Sequence, residues 1–333
     1  MPAIGQPILE TDAAPPLVSV IVPAYNSART IDRCLRAFAV QETSHRFEVL
    51  VVHSGTDDTC ALAERALPGA RTLQLPERAI PPRGRSIGVQ HARGEILAFI
   101  DSDIYVSPTW IDHVVRAMGT GYDLVCGSIE NANPHSAVSR AEQLLMFNEF
   151  MPDQPEHPAW FALSGNTVLR RSAYERFGPF VEVRAAEDIV FSRRLLAAGG
   201  TILFYPDLRV RHDNRTTMRP FLRNQVLVGK HTATARRMVD FADSRSYVLL
   251  LLSLPLAPLI KLAKVTRHIT RHDKRRLAQV VRELPLLTVG VCAYCVGMLQ
   301  GVTGSTDSKV GAGGPPLPNS KAPISGAEPF HGR

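Results

Sequence analysis

Two acidic pairs stand out for their placement. Asp101-Ser102-Asp103 follows directly on the apolar run Ile96–Ile100, and Glu187-Asp188 opens a helical pattern further along. Alternating carboxylates at the end of a buried strand suit a divalent cation held by one or two carboxylates plus phosphate oxygens of a substrate. A carboxylate at a helix start is favoured by the macrodipole alone. It can also take a proton from an attacking hydroxyl as a general base. A third segment, Val18–Asn26 (V-S-V-I-V-P-A-Y-N), runs from a β-branched strand into a polar turn. In open α/β sheets, ligands bind beyond the carboxyl ends of such strands. The turn lacks both G-x-G-x-x-G and G-x-x-x-x-G-K-[ST], so neither the dinucleotide fingerprint nor the P-loop is present. Singly, each segment also has an ordinary reading as a solvated turn, a helix start or a plain strand.

The elements that must position these residues follow from hydrophobic periodicity. Apolar β-branched runs at Val18–Val22, Phe47–Val52 and Ile96–Ile100 read as buried strands. Between them lie helical patterns. Ser27 can cap a helix carrying Ile31, Leu35 and Phe38 on one face, and a second helix runs through Leu62. Ser107-Pro108 opens another, with serine as cap and proline at the first helical position. The alternation predicts a parallel α/β sheet covered on both faces. Beyond Cys126 the rhythm loosens. Trp160–Leu163 and Ile202–Tyr205 are strand-like, a helix follows Glu187-Asp188, and the segment extends the same domain.

The charge is concentrated. Lys261–Arg282 holds eight Lys/Arg and one acid, Asp273, so it carries the whole net charge of +7 while the rest of the chain balances. A nucleic-acid binder would spread that charge over a folded face. A basic block bracketed by apolar runs points instead to an anionic lipid surface, with no nucleic-acid partner. Ser246–Ile260 is uncharged but short and contains Pro255 and Pro258; Leu284–Thr306 is uncharged for 23 residues. The second is long enough to span a bilayer, and the first suits an interfacial or re-entrant segment. A buried helical hairpin is the competing reading. A chain ending near Arg245 should be the more soluble form. Five unevenly spaced cysteines indicate a reducing compartment rather than a disulfide framework. Cys292 and Cys295, inside the apolar segment, read as packing residues. The first residues lack a basic, then apolar, leader pattern, so no cleavable signal is expected.

Taken together, these motifs resemble the family 2 glycosyltransferases over roughly Val18 to Arg215. The resemblance implies a GT-A fold: a Rossmann-like mixed α/β sheet with helices on both faces. It also implies a nucleotide-sugar donor and inversion at the anomeric carbon. Carried over by position, Pro23, Ala24, Tyr25 and Asn26 match the first donor-binding loop. Arg85, in R-G-R-S-I-G, matches an arginine near the donor. Asp101 and Asp103, with Ser102 between them, match the D-x-D pair, with Asp103, joined by Asp101, on a Mg²⁺ or Mn²⁺ ion. Ser164-Gly165-Asn166 matches the small-residue loop on the acceptor side. Asp188 matches the base and Glu187 its neighbour. His212, in V-R-H, resembles a histidine that closes the metal site in some members. One departure matters. The family commonly has V-V-D-x-G-S-T-D after the second strand, its first Asp contacting the nucleobase; here His53 stands at that place, in V-V-H-S-G-T-D.

The expected organisation is a loose leader at 1–16, a GT-A domain at 17–245, a membrane-associated helical hairpin at 246–304 with a basic loop at 261–282, and a disordered tail at 305–333. The expected function is a metal-dependent inverting transfer of sugar to a lipid-linked or cell-envelope glycan, at the cell membrane with the catalytic domain facing the cytoplasm. A polyprenyl-phosphate acceptor and a catalytically silent nucleotide-sugar-binding module are the alternatives.

Overall fold

A computed structural model of the 333-residue chain describes residues 15–183, 187–239, 256–272 and 276–303. The expected leader and tail lie almost wholly outside those residues, as does most of Ser246–Ile260.

β1 (Val18–Ala24), β2 (Phe47–His53) and β4 (Ile96–Ile100) are largely apolar because they are buried on both sides; with the partly exposed edge strand β3 (Arg71–Gln74) they lie parallel in the order β3-β2-β1-β4. The helices between them are α1 (Ile31–Ala39), α2 (Thr59–Ala66) and α3 (Pro81–His91). α1 buries Ile31, Leu35 and Phe38, as its period requires. Its first residue follows Thr30, however, and Ser27 contributes its backbone carbonyl rather than a side-chain cap. The next elements are β5 (Ile104–Val106), α4 (Trp110–Met118), β6 (Leu124–Asn131) and α5 (Ala137–Met146). α4 begins after Thr109, not at Pro108; Ser107 closes the turn by accepting the Trp110 N–H. β7 (His157–Pro158), β8 (Asn166–Arg170), α6 (Arg171–Phe177), α7 (Glu187–Ala197) and β9 (Ile202–His212) complete the catalytic half.

The sheet is mixed, not purely parallel. β8 inserts antiparallel between β4 and β6, β9 lies parallel to β6, and β5 runs antiparallel to β9 at the edge. Trp160–Leu163 does not form a strand; only His157–Pro158 pairs with β9, and the chain then turns into Ser164. The Trp160 and Phe161 rings pack on each other instead, with centroids 4.2 Å apart. Register brings the functional ends together. Ile21 sits beside Phe99, Ile100 beside Asn166, and His212 beside both Ile104 and Asn131. The residues just past β1 and β4, those just before β8 and the end of β9 therefore share one rim.

Three helices follow: α8 (Met218–Val239), α9 (Ala257–His272) and α10 (Leu277–Thr303). α9 carries much of the expected basic loop, so residues 261–272 are helical. α10 is long and apolar enough to cross a membrane by length and composition, yet half of its most apolar stretch is buried in the protein. It packs along α8 and α5 in a second core with Leu144, Leu145, Phe221, Leu287, Val291 and Met298. Glycines set how close the helices come. A Cβ on Gly229 would lie 1.9 Å from the Tyr294 carbonyl oxygen, and one on Gly297 1.9 Å from that of Val226. Cys295 is buried in this contact, and burial pushes its thiol up.

Candidate active site

The rim is built from the strand ends inward. After β1, Tyr25 and Asn26 turn outward, and Asn26 takes a left-handed backbone (φ 48°), a conformation asparagine tolerates better than most residues. Its Oδ1 accepts the Thr56 N–H at 3.0 Å, tying the first loop to the one after β2. Tyr25 is exposed, with the Arg78 guanidinium 4.3 Å from its ring centroid. Ser27 and Ser102 hydroxyls meet at 2.8 Å, joining the first loop to the D-x-D turn. Pro23 and Ala24 are the last residues of β1 and shape this rim through backbone.

His53 lies at the end of β2 as the register requires, but it is only 1% exposed. Its Nδ1 lies 2.8 Å from Gln74 Oε1 and its Nε2 3.2 Å from Asp57 Oδ1. The ring expected at the donor is buried in the fold, where it braces the Gly55–Asp57 turn. Gly55 leaves no room there, since a Cβ would sit 2.7 Å from His53 Nε2. Burial works to raise the Asp57 carboxyl, but hydrogen bonds from Thr59 and the Ala28 N–H outweigh it and hold the group below its ordinary range.

Arg85 is the hub. It sits on α3, where Gly84 and Gly88 face the sheet. A Cβ on Gly88 would meet Ile21 Cγ2 at 2.4 Å, and one on Gly84 would meet Pro23 Cβ at 3.1 Å, so two small residues let the helix seat directly on β1. The guanidinium is thereby lowered into the protein. Nη2 donates to Asp101 Oδ1 at 2.5 Å and Nη1 to Glu187 Oε1 at 2.7 Å. The fork geometry of arginine serves two carboxylates at once. Ser164 Oγ donates to the same Glu187 oxygen at 3.3 Å. Gly165 packs against Asp101; a Cβ there would come within 2.8 Å of Oδ2. Asp188, next along α7, is partly exposed, and burial first, with the Glu187 charge second, pushes its carboxyl above the ordinary range. The charges of Arg85 and Asp101 also bear on it. Carboxylates from the D-x-D turn and from α7 therefore converge on one cationic side chain.

Asp103 faces the other way. Its Oδ2 lies 3.6 Å from His212 Nε2, and half-burial leaves the carboxylate open to solvent. Asp101 is engaged with Arg85, which leaves Asp103 and His212 facing each other at this end of the rim. No three His, Cys, Asp or Glu side chains among the described residues converge as a complete metal cage. That agrees with a hard cation that takes one or two protein ligands and completes its shell with phosphate oxygens and water. One carboxylate beside one imidazole would suit Mn²⁺, and Mg²⁺ less well because it is the harder ion.

Asn166, expected on the acceptor side, turns its side chain into the sheet. Its amide is buried, donates to the Ser128 and Leu208 carbonyls and accepts from Trp110 Nε1. The side chain holds β8, β6 and β9 together, and only Ser164 and Gly165 of that triplet border the site. Sequence reasoning missed Asn214 and Gln143 behind His212. The only available signal was the polar H-D-N at the end of a strand.

A family model described as Glycosyl transferase family 2 matches residues 19–178, which span the first loop, Arg85, the D-x-D turn and Ser164-Gly165. The chain belongs to glycosyl transferase family 2. It is 29% identical over 295 residues to Glycosyltransferase AglE of Haloferax volcanii, covering 86% of this chain and 94% of that one. It is 27% identical over 311 residues to Succinoglycan biosynthesis protein ExoO of Rhizobium meliloti, covering 81% and 87%. The fold is similar to that of Mannosyltransferase PcManGT from Pyrobaculum calidifontis, solved with GDP-Man and Mn²⁺, at TM-score 0.57, 17% identity and 90% coverage of both chains. This family 2 glycosyltransferase thus has a GT-A-type mixed α/β architecture.

Proposed function

We propose that this glycosyltransferase moves a sugar, with inversion, from a nucleoside-diphosphate donor to a hydroxyl of a lipid-linked or envelope glycan. The observation that carries this reading is the Arg85 bridge, which ties the Asp101 turn to the Glu187-Asp188 helix start. Pro23–Asn26 and Ser102 border the nucleotide. Asp103 and His212 would hold Mg²⁺ or Mn²⁺, which would supply positive charge to offset that on a departing diphosphate. Asp188 accepts the acceptor hydroxyl proton as that oxygen attacks, and its raised basicity suits the task. Arg85 keeps Glu187 and Asp101 in place around it, and Ser164 and Gly165 form the wall the acceptor meets. No protein nucleophile is required, because one displacement inverts the centre. PcManGT, described with GDP-Man and Mn²⁺, supports a nucleotide-sugar and metal pairing here.

The acceptor's setting follows from the C-terminal helices. Leu259 and Ile260 on α9, and Val281, Leu284, Val289, Val296 and Leu299 on α10, are exposed, while Lys264 and Arg267 add positive charge on α9. An apolar stripe beside basic residues suits an anionic bilayer, with the helices lying in its interface on the cytoplasmic side.

Asp188→Asn should remove most turnover while leaving donor affinity near that of the parent. Release of sugar from a panel of nucleotide sugars, measured with each acceptor class in turn, checks the assignment. Undiminished transfer by that variant would falsify the base role, and a polyprenyl phosphate accepted in place of a glycan hydroxyl would select the alternative acceptor.

A further inference from the structure

The imidazole that faces Asp103 is held from behind by amides whose polarity is fixed. Asn214 and Gln143 are both buried. Gln143 Nε2 donates to the Ile129 carbonyl at 2.7 Å, which turns its Oε1 toward Asn214 Nδ2 at 2.8 Å. Asn214 Nδ2 also reaches the Ser139 carbonyl at 3.3 Å. A carboxamide nitrogen only donates and its oxygen only accepts. With Nδ2 committed to two acceptors, Asn214 presents Oδ1 to His212 Nδ1 at 2.6 Å. A carbonyl oxygen has no proton to give, so Nδ1 must carry it. Neither end of the relay can be reversed, because it starts from the backbone carbonyls of Ile129 and Ser139. The Phe147 ring packs against the imidazole with centroids 4.9 Å apart, limiting its rotation. Nε2 is left facing Asp103 Oδ2 at 3.6 Å, beyond hydrogen-bond length.

We infer that Asn214 and Gln143 are positioning residues that lock His212 in its Nδ1–H tautomer, so that Nε2 offers its lone pair beside Asp103 to a divalent cation. The inference rests on the metal reading proposed above. The opposite tautomer would press two lone pairs, Nδ1 and Oδ1, together at 2.6 Å inside the protein. Ligating histidines commonly hand their second N–H to an oxygen acceptor in this way, and loss of that partner lowers metal affinity about 10- to 100-fold. Gln143 acts one step further back. Without it Asn214 keeps only the longer bond to Ser139, and its amide is freer to turn.

Two measurements on the full chain test the lock. The first needs no substitution: the ring nitrogens of ¹⁵N-labelled His212 are observed without metal at pH 8. A proton on Nδ1 and none on Nε2 is expected. A proton on Nε2, alone or in a mixture, overturns the inference. The second titrates Mn²⁺ alone, followed by electron paramagnetic resonance, into the parent, Asn214→Leu, Asn214→Asp and His212→Ala, with thermal unfolding run beside it. Asn214→Leu should bind about 10- to 100-fold more weakly, and Asn214→Asp, which keeps an oxygen toward Nδ1 but sets its other oxygen against Gln143 Oε1 and the Ser139 carbonyl, should fall between it and the parent. If His212→Ala binds poorly and Asn214→Leu binds as the parent does, the lock is refuted and the metal reading stands. If His212→Ala binds Mn²⁺ like the parent, the metal reading itself fails. Should Asn214→Leu not fold, the tautomer of the parent still decides.

Discussion

Replacing Arg85 by methionine removes the one cation shared by the two acidic elements of the site. The Arg85 side chain is 2% exposed and that of Glu187 5%, whereas Asp101 is 37% exposed. The two halves of the bridge therefore carry different weights. Taking the Arg85 charge away from buried Glu187, which keeps the Ser164 hydroxyl, costs up to about 3–5 kcal/mol. The Asp101 half is screened by solvent and adds about 1 kcal/mol at most. A carboxylate left in low dielectric escapes part of its cost by taking up a proton, so the deficit should be largest near pH 8 and smaller near pH 5. Urea unfolding of parent and variant at both values measures it. Arg85→Lys keeps the charge but gives up the fork, and should fall between the two. A loss below about 1 kcal/mol at pH 8, or one equal at both pH values, would show that Arg85 is not the hub described above.

Other consequences can be measured directly. Folding holds the proton of Asp188 more tightly than the unfolded chain does, so ionising this group costs stability: the cost is absent below about pH 4 and complete above the raised pKa. Asp188→Asn should then be more stable than the parent by at least about 1 kcal/mol at pH 8 and equal to it at pH 4; thermal unfolding across that range checks the sign. The same raised pKa should move the acid limb of the parent's rate profile above the ordinary carboxylate range, and a limb near pH 4 would contradict it. Gly165→Ala would bring a Cβ within 2.8 Å of Asp101 Oδ2, so turnover should drop about tenfold or more with the unfolding midpoint little changed. Gly297→Ala must push α10 off the Val226 carbonyl and should cost about 1–3 kcal/mol. Limited proteolysis, with earlier cleavage near α10 expected, reports it.

β1, β2 and β4 were legible because they are apolar runs between polar turns, whereas β3, R-T-L-Q at the sheet edge, and the three-residue β5 carry no such signal. Ile96–Ile100 is reproduced residue for residue, and with it the place of the D-x-D turn. α3 was not legible as a helix. Pro81, Pro82, Gly84 and Gly88 read as breakers, yet proline fits a helix start and the glycines serve close packing on β1. Asn166 could be matched by motif, but motif position does not say which way an amide turns, and three strands compete for it. His53 shows the same limit: its place was evident, whereas its burial against Gln74 depends on a strand pairing between β2 and β3. α10 could be read as apolar but not assigned, since a bilayer and a protein core ask for the same residues. The G-x-x-x-G spacing of Gly297 and Gly301 was the available hint of close helix contact.

That contact bears on how the enzyme can be handled. Shortening the chain before α9 to dispense with detergent would not clip off a passive tether. It would bare the flank of α8 and withdraw the cover from α5, the helix from which Gln143 and Glu142 reach the segment holding His212, Asn214 and Arg215. The C-terminal helices and the reactive end are two ends of a single fold, so a preparation trimmed before α9 would loosen its hold on the residue beside Asp103.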